Sequence, residues 1–600
     1  MGGGMSAPKP GPMIGLRIVV AGDHGTGKSS LISTAIPAND PPVLPEVPSV
    51  LAPIRLPDDM FPYCVPITVI DTSSSLQHRD ELAEELKTAD AIVVTCSYDQ
   101  LATLDLDHRL CTFWLKYLQD LQVKAPVVVA FCKSDIKQPI HLPKLMLPIL
   151  QRYPQLENYL ECSAKLRTLT PDIFLYAQKA VLFPTPPLYD RETKTLKPRC
   201  LRALIGVFTL FDSDKDGCLS DKEFNDLQAK CFGTPMEDIK VQCVKSCVEK
   251  IMPEGAVIDN KLTLRGFLTN HAELIEHHHP EITWTILKKN EYDNEIKFCC
   301  DRLLPPIKRT LDQSVELTTE ALEHLRRVFS LFDIRGDGAS NARELEDLFS
   351  TQPSLDEAPS VEVNVLGELS VTGFLSKWAL MALLNPVLTV EILKDMGYAG
   401  NPTSAVKVTQ RRRVDRSDRN VFQCFVFGAK EAGKSSLMHA FVGRPFSQDY
   451  TPTIEERYAV NIVDFPDGRR KTLILREIPE DATRKLLTHK DALAACDIAV
   501  FVYDSASATS SAKATELLVQ VESTGYVVPC LIVAAKCDLV PFATTIQDTT
   551  RVSMGIEVPI PISTKFGDCN HIYRKIVSAA EQPHLRIPNS RKQSGSVLFW

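Results

Sequence analysis

One ordered set of motifs occurs twice in this chain, near its start and near its end, and that repetition limits the possible fold more than any bulk property does. In the first copy the apolar run Leu16-Arg17-Ile18-Val19-Val20-Ala21 leads into Gly22-Asp23-His24-Gly25-Thr26-Gly27-Lys28-Ser29-Ser30. In the second, Val421-Phe422-Gln423-Cys424-Phe425-Val426-Phe427 leads into Gly428-Ala429-Lys430-Glu431-Ala432-Gly433-Lys434-Ser435-Ser436. Both turns fit G-x-x-x-x-G-K-S, a phosphate loop. Glycine lets the backbone curl until its N–H groups face phosphate oxygens, and the helix N-terminus that follows adds partial positive charge. The lysine reaches the β- and γ-phosphates, and the serine hydroxyl ligates Mg²⁺. Later apolar runs, Ala91 to Val94 and Val127 to Phe131, then Ile498 to Val502 and Leu531 to Ala535, alternate with amphipathic segments. That alternation predicts a parallel sheet in an α/β domain at each end.

The base-reading residues follow in the same order in both copies. Lys133-Ser134-Asp135 and Lys536-Cys537-Asp538 fit the K-x-D element of Ras-like GTPases, although the usual leading Asn is Cys132 in one and Ala535 in the other. The Asp carboxylate accepts from the N1–H and exocyclic amine of guanine, a donor pair that adenine lacks. Ser163-Ala164-Lys165 and Ser563-Thr564-Lys565 resemble the loop that contacts the guanine carbonyl. Asp135 lies 107 residues after Lys28, and Asp538 lies 104 after Lys434. Both heads are therefore expected to bind GTP or GDP, and an ATP-using P-loop enzyme is disfavoured.

The hydrolytic residues are less complete. Ras-like proteins carry Asp-x-x-Gly-Gln, whose Asp supports Mg²⁺ and whose Gln orients water. Here the segments read Asp71-Thr72-Ser73-Ser74-Ser75 and Glu477-Ile478-Pro479-Glu480-Asp481, so the Gln positions hold Ser75 and Asp481. No catalytic residue is assigned. The expected Mg²⁺ set is Ser29 and Asp71 in the first head and Ser435 and Thr453 in the second. Thr453 falls in Tyr450-Thr451-Pro452-Thr453-Ile454-Glu455, which resembles the Ras effector loop; the first head offers only Ser49 within Pro41 to Pro57. Hydrolysis should be slow without a group supplied in cis or by a partner.

Between the heads the pattern turns helical. Asp212-Ser213-Asp214-Lys215-Asp216-Gly217-Cys218-Leu219-Ser220-Asp221-Lys222-Glu223 fits the twelve-residue EF-hand loop. Asp212, Asp214 and Asp216 offer carboxylate oxygens, Cys218 its carbonyl, Ser220 a direct or water-bridged oxygen, and Glu223 a bidentate carboxylate. A second loop keeps Asp333, Asp337, Gly338, Asn341 and Glu344, but Arg335 stands at its third ligand position, where a cation is unwelcome beside Ca²⁺. A weaker calcium site and a purely structural EF-hand are both open there. EF-hands pair, so a degenerate partner is expected around Leu262 to Leu268 and around Val371 to Trp378. The run His277-His278-His279 reads as surface.

Other features bound the setting. A chain of 600 residues needs several cores, and its 44% hydrophobic content can fill them. A net charge of −8 argues against nucleic-acid binding. The 17 cysteines lack the spacing of a disulfide or zinc scaffold, so structural thiols in a reducing compartment are expected. Met1 to Ser6 matches the loose N-myristoylation pattern, with a flexible glycine leader as the preferred reading. No run of 18 apolar residues spans a membrane, while Arg591-Lys592 followed by Val597-Leu598-Phe599-Trp600 is how a C-terminal anchor would begin.

GTPase, EF-hand units and a second GTPase in that order resemble the Miro family of mitochondrial Rho-like GTPases, over essentially the whole chain. Thr283 to Leu287, Trp378 to Met381 and Gly397-Tyr398 add to the resemblance. The expected fold class is α/β and all-α multidomain: two P-loop Ras-like GTPase domains flanking two helical EF-hand-type units. The expected division is 1–185, N-terminal GTPase; 196–305, first EF-hand with degenerate partner; 306–400, second EF-hand with partner; 401–417, a solvated basic linker around Arg411-Arg412-Arg413; 418–582, C-terminal GTPase; and 583–600, a tail. The resemblance implies a tail-anchored protein on the cytosolic face of the mitochondrial outer membrane, using Mg²⁺ with GTP/GDP and Ca²⁺. It also implies roles in mitochondrial distribution and morphology, with adaptors of motors or the cytoskeleton as partners; without the anchor, the chain as written would be soluble. Two functions remain: a slow calcium-responsive GTPase adaptor, or a calcium-switched scaffold in which one or both heads hold nucleotide structurally.

Overall fold

The computed structural model describes residues 15–35, 50–57, 59–98, 107–136, 142–299, 307, 309–310, 312–333, 335–351, 360–363, 367–411, 419–449, 451–488, 493–525, 528–540, 558–566 and 569–582. Gly2, Ser49, Tyr450, Arg412, Arg413 and the tail 583–600 lie outside them. The chain divides into two compact units, 1–299 and 300–600, so each contains one GTPase head and one EF-hand region.

In the first unit, six strands run in the order Ile54–Leu56, Ile67–Asp71, Leu16–Gly22, Ala91–Ser97, Val127–Cys132 and Leu156–Glu161. Only the first pairing is antiparallel. Leu16–Gly22 is central and covered on both faces, which explains why it reads as a nearly continuous apolar run rather than an alternating one. The strand therefore ends at the middle of the sheet's carboxyl edge, where such folds bind ligands, and the phosphate loop starts there.

The second unit repeats this order with Arg457–Asp464, Arg470–Glu477, Val421–Phe427, Ile498–Asp504, Cys530–Ala535 and Ile560–Pro561. A seventh strand, Ser360–Val361, comes from the EF-hand region and pairs parallel with Arg457–Asp464 (Val361 with Val460).

Each EF-hand region is a pair in space. Cys218–Leu219 of the first loop pairs antiparallel with Lys261–Thr263, placing Leu219 opposite Leu262. Ala339–Ser340 of the second pairs likewise with Leu369–Ser370, placing Ser340 opposite Leu369. The helices that follow these partner strands start alike. Thr263 accepts from the amide of Gly266, and Ser370 from that of Gly373. A Cβ on either glycine would come within 2.2 Å of a backbone carbonyl.

The expectation of a solvated linker fails where the segment is described. Val406–Gln410 is a strand paired with Gln313–Leu317, and Arg411 is buried. Its guanidinium meets Asp497 at 2.9 Å, and Arg419 meets the same carboxylate at 2.8 Å. The basic run reads as solvated from sequence because its acidic partner lies 86 residues further on. The thiols also need correction. All described cysteines are free, but Cys64, Cys243, Cys247, Cys299 and Cys537 are exposed rather than packed in a core. Among the described residues, no helix is long and apolar enough to cross a membrane. His277 and His279 are exposed as expected, whereas burial lowers the His278 pKa to about 4.

Candidate functional site

The first phosphate loop closes tightly on itself. A Cβ at Gly22 would lie 2.2 Å from Thr95 Oγ1, and one at Gly428 2.3 Å from the Val502 carbonyl, so both leading glycines are required by the neighbouring strand. Gly25 and Gly27 take positive φ, and Thr26 Oγ1 sits 2.7 Å from Thr95 Oγ1. Lys28 and Ser29 open the helix Lys28–Ala35, in which the Ser30 carbonyl accepts from Thr34. Lys28 Nζ donates to the carbonyls of Gly22 (2.9 Å) and Asp23 (3.0 Å). Burial lowers its pKa, opposed by Asp71 and Asp23.

The magnesium-type residues converge. Ser29 Oγ donates to Asp71 Oδ2 at 2.6 Å, and the amides of Leu51 and Thr72 hold the same carboxylate at 3.0 and 2.9 Å. In the second head Ser435 Oγ donates to Glu477 at 2.9 Å, and Thr453 Oγ1 donates to it at 3.1 Å. Glu477 was not among the expected Mg²⁺ residues, yet a signal existed: it lies 42 residues after Ser435, the same separation as Asp71 from Ser29. Lys434 repeats the Lys28 contacts with Gly428 (2.9 Å) and Ala429 (2.8 Å), and burial lowers its pKa too. Glu431 adopts φ +63° where the first loop has Gly25 at φ +74°. A side chain in that conformation costs about 1–2 kcal/mol, so the second loop stores backbone strain that the first avoids.

The base-reading elements also meet. Ser163 Oγ donates to Asp135 at 2.7 Å, and Lys165 Nζ lies 3.9 Å from the same carboxylate. Ser563 Oγ donates to Asp538 at 2.7 Å. Lys133 and Lys536 both turn in the left-handed region, and Lys536 Nζ contacts Asp504 at 2.7 Å. The Ala164 carbonyl accepts from Arg167 in the first head's loop. In the second head one cavity of ≈ 400 Å³ is lined by Glu431 to Ser436, Thr453, Glu477, Lys536, Asp538, Thr564 and Lys565. That volume falls in the range of small-molecule sites. The residues expected from the sequence to bind phosphate, support Mg²⁺ and read the base thus share one space in the second head.

At the Gln positions, Ser75 accepts from the Gln77 amide at 3.4 Å, and the exposed Asp481 pairs with Lys430 at 2.8 Å. Glu480 accepts from the Lys430 amide at 2.8 Å, a contact across the phosphate loop that sequence reading missed. Arg109, also missed, makes two bonds of 2.7 Å to Asp23.

In the first calcium-type loop, one ligand atom each from Asp212, Asp214 and Asp216 lies within 4.8 Å of the others. Asp212 accepts from the amides of Asp216 (3.2 Å) and Gly217 (3.1 Å), and Asp216 from that of Cys218 (2.8 Å). Glu223 Oε1 accepts from the Ser213 amide (2.8 Å), while its Oε2 accepts from the Ser220 hydroxyl (2.7 Å). In the second loop Asp333 accepts from Gly336 and Gly338 at 2.8 Å, and Asn341 and Glu344 cap each other at 2.9 Å. Arg335 faces Asp337 at 3.4 Å, Glu344 at 4.0 Å and Glu368 at 2.8 Å.

Residues 423–570 match the Ras family, and residues 234–321 and 356–420 match two families described as EF hand associated. The chain is 48% identical over 601 residues to Mitochondrial Rho GTPase 1 of Arabidopsis thaliana, covering 97% of this chain and 91% of that protein. It is 46% identical over 608 residues to Mitochondrial Rho GTPase 2 of the same plant, covering 98% and 93%. A fungal relative, Mitochondrial Rho GTPase 1 of Neurospora crassa, is 31% identical over 605 residues, covering 96% and 94%.

Proposed function

The chain belongs to the mitochondrial Rho GTPase family and is a small-GTPase-type GTP hydrolase, and from that premise we propose that it is a slow, calcium-responsive switch with two nucleotide sites. The observation that carries this reading is the duplicated constellation: in each head a phosphate-loop serine holds a carboxylate beside a buried lysine, and neither head has glutamine at the water-orienting position. Lys28 and Lys434 neutralise phosphate charge, and the burial that lowers their pKa strengthens that interaction by excluding water. Ser29 with Asp71, and Ser435 with Thr453 and Glu477, would hold Mg²⁺, which spreads the negative charge developing on the γ-phosphate. Asp135 and Asp538 select guanine.

Without an oriented water, turnover waits on a partner or on a group supplied in cis. The first EF-hand loop takes Ca²⁺ through Asp212, Asp214, Asp216, Cys218 and Glu223, and the family association points to mitochondria. The finer assignment is to the cytosolic face of the outer membrane, through an anchor beyond the described residues, with adaptors of motors or the cytoskeleton as partners. The six-part division along the chain belongs to the same reading. A second reading, in which one head keeps its nucleotide as a structural ligand, is favoured for the C-terminal head by Glu477 in place of aspartate.

Single-turnover GTP hydrolysis by the full chain, compared with Lys28→Ala, Lys434→Ala and the double variant, tests this. Turnover lost stepwise supports two working heads. Turnover untouched by Lys434→Ala but lost in Lys28→Ala supports the structural second head. Turnover indifferent to both lysines sinks the proposal.

A further inference from the structure

The two calcium-type loops carry the same inter-loop ion pair with its polarity reversed. The paired strands fix the correspondence: Leu219 faces Leu262 in one region and Ser340 faces Leu369 in the other, so Lys261 and Glu368 occupy the same place in their hairpins. Their partners sit at the third position of each loop, Asp214 and Arg335. Lys261 Nζ contacts Asp214 Oδ2 at 3.1 Å and also Asp216 Oδ2. Arg335 contacts Glu368 Oε1 at 2.8 Å and also Asp337 Oδ2 at 3.4 Å.

The oxygens involved matter. Asp214 and Asp216 each accept a loop amide with Oδ1, leaving Oδ2 for a cation, and Lys261 holds both Oδ2 atoms. Asp337 likewise accepts the Ala339 amide with Oδ1, and its Oδ2 faces Arg335. Each loop thus contains an intramolecular cation on the oxygens a metal would use. In the first the cation comes from the neighbouring hairpin and can leave without costing the loop a ligand. In the second it replaces a ligand.

We propose that Lys261 is an exchangeable counter-ion that Ca²⁺ displaces from the first loop, whereas Arg335 permanently neutralises the second loop and keeps it metal-free. This rests on the calcium reading above. Calcium binding would then release the side-chain tie between Lys261 and the carboxylates of the first loop while the Leu219–Leu262 strand pairing stays, giving the occupied loop a local consequence in its partner hairpin.

Calorimetric Ca²⁺ titration of the full chain tests the proposal, with hydrogen exchange of residues 257–263 read in parallel. Lys261→Met should bind Ca²⁺ ~2- to 10-fold more tightly than the unaltered chain, the range expected when partly exposed ion pairs no longer compete. Lys261→Arg, which keeps the competing charge, should stay close to the unaltered value. Ca²⁺ should speed exchange at 257–263 in the unaltered chain, and less so in Lys261→Met. Arg335→Asp combined with Glu368→Lys should add a second calcium site. Equal affinity in Lys261→Met and the unaltered chain would overturn the counter-ion role while leaving the calcium reading intact. A second calcium site already present at the unaltered Arg335 loop would overturn the metal-free assignment. Absence of binding in the unaltered chain and every Lys261 variant would overturn both readings together.

Discussion

The first unit joins its GTPase to its EF-hand region through a partly exposed polar seam, and the second does so through buried charge. In the first, Trp284 Nε1 donates to the Pro184 carbonyl at 2.8 Å, Lys179 meets Glu281 at 2.9 Å, and Lys288 reaches the Leu182 carbonyl at 3.2 Å. In the second, Asp497 receives both Arg411 and Arg419, and Arg419 also faces Glu316 of the EF-hand ribbon at 3.6 Å. Burial alone would raise the Asp497 pKa; the two guanidiniums outweigh it and hold the carboxyl below its ordinary range. The strand Ser360–Val361 then extends the GTPase sheet itself. The contrast teaches that one domain order can be built on partly exposed polar contacts or on a fully buried charge cluster. The six-strand order is shared; the differences lie in the added strand and in which charges the junction buries.

The sharpest way to break this comparison is Arg419→Met. Leaving Asp497 and Glu316 without their shared cation should destabilise the second unit by about 3–5 kcal/mol, seen as an earlier unfolding transition with the first unit's unchanged. Next in size are the phosphate lysines. Lys28→Ala and Lys434→Ala should each cut turnover at their own site by roughly 10²- to 10³-fold, the scale for losing one positioned electrostatic group. A single-turnover burst that keeps its full rate and amplitude in both variants would show that the nucleotide lies elsewhere.

The two magnesium-type carboxylates come third. Asp71→Asn and Glu477→Gln should each weaken Mg²⁺-dependent nucleotide retention by about 10- to 100-fold, as for partners that orient metal ligands. Glu477→Asp should retain more than Glu477→Gln; an indifferent Glu477→Gln would mark the second head as independent of that carboxylate. A fourth test uses acid. His271 is buried in the first unit and donates to or accepts from Thr283 at 2.9 Å, and burial lowers its pKa to about 3. The unfolded chain takes up this proton near pH 6.5 and the folded chain does not, so the first unit should lose up to ~1.4 kcal/mol per pH unit as pH falls from about 6.5 toward 3. His271→Phe should flatten that slope in urea titrations at pH 7 and 5. The smallest effect belongs to Lys179→Met, at most about 1 kcal/mol on the first unit. A loss as large as that of Arg419→Met would erase the distinction between the junctions.

Local chemistry made much of the site legible. The phosphate loops, K-x-D elements and first calcium loop each require particular residues at short fixed spacing, because backbone amides and a few side chains must converge within one turn. The paired strands were legible as long apolar runs, since a strand covered on both faces cannot alternate. Glu477 was readable from its segment's match to Asp-x-x-Gly-Gln and from its 42-residue separation from Ser435, because its chemistry departs from aspartate while its place in the register does not. Arg411 was misread because its partner, Asp497, is remote in sequence. Lys261 carried no sequence signal at all, since a lysine in a hairpin becomes a counter-ion only when strand pairing sets it over another loop's carboxylates.

The sequence by itself therefore determined two P-loop GTPase-type heads, an acidic calcium-type loop and the family to which the chain belongs. Only the tertiary structure decided which internal cation faces each calcium-type loop and which charges the junction between each head and its EF-hand region buries. The physical reason is range: motif chemistry acts within a turn of backbone, whereas the worth of a charge depends on what the fold brings within a few ångströms of it and on how much water it excludes.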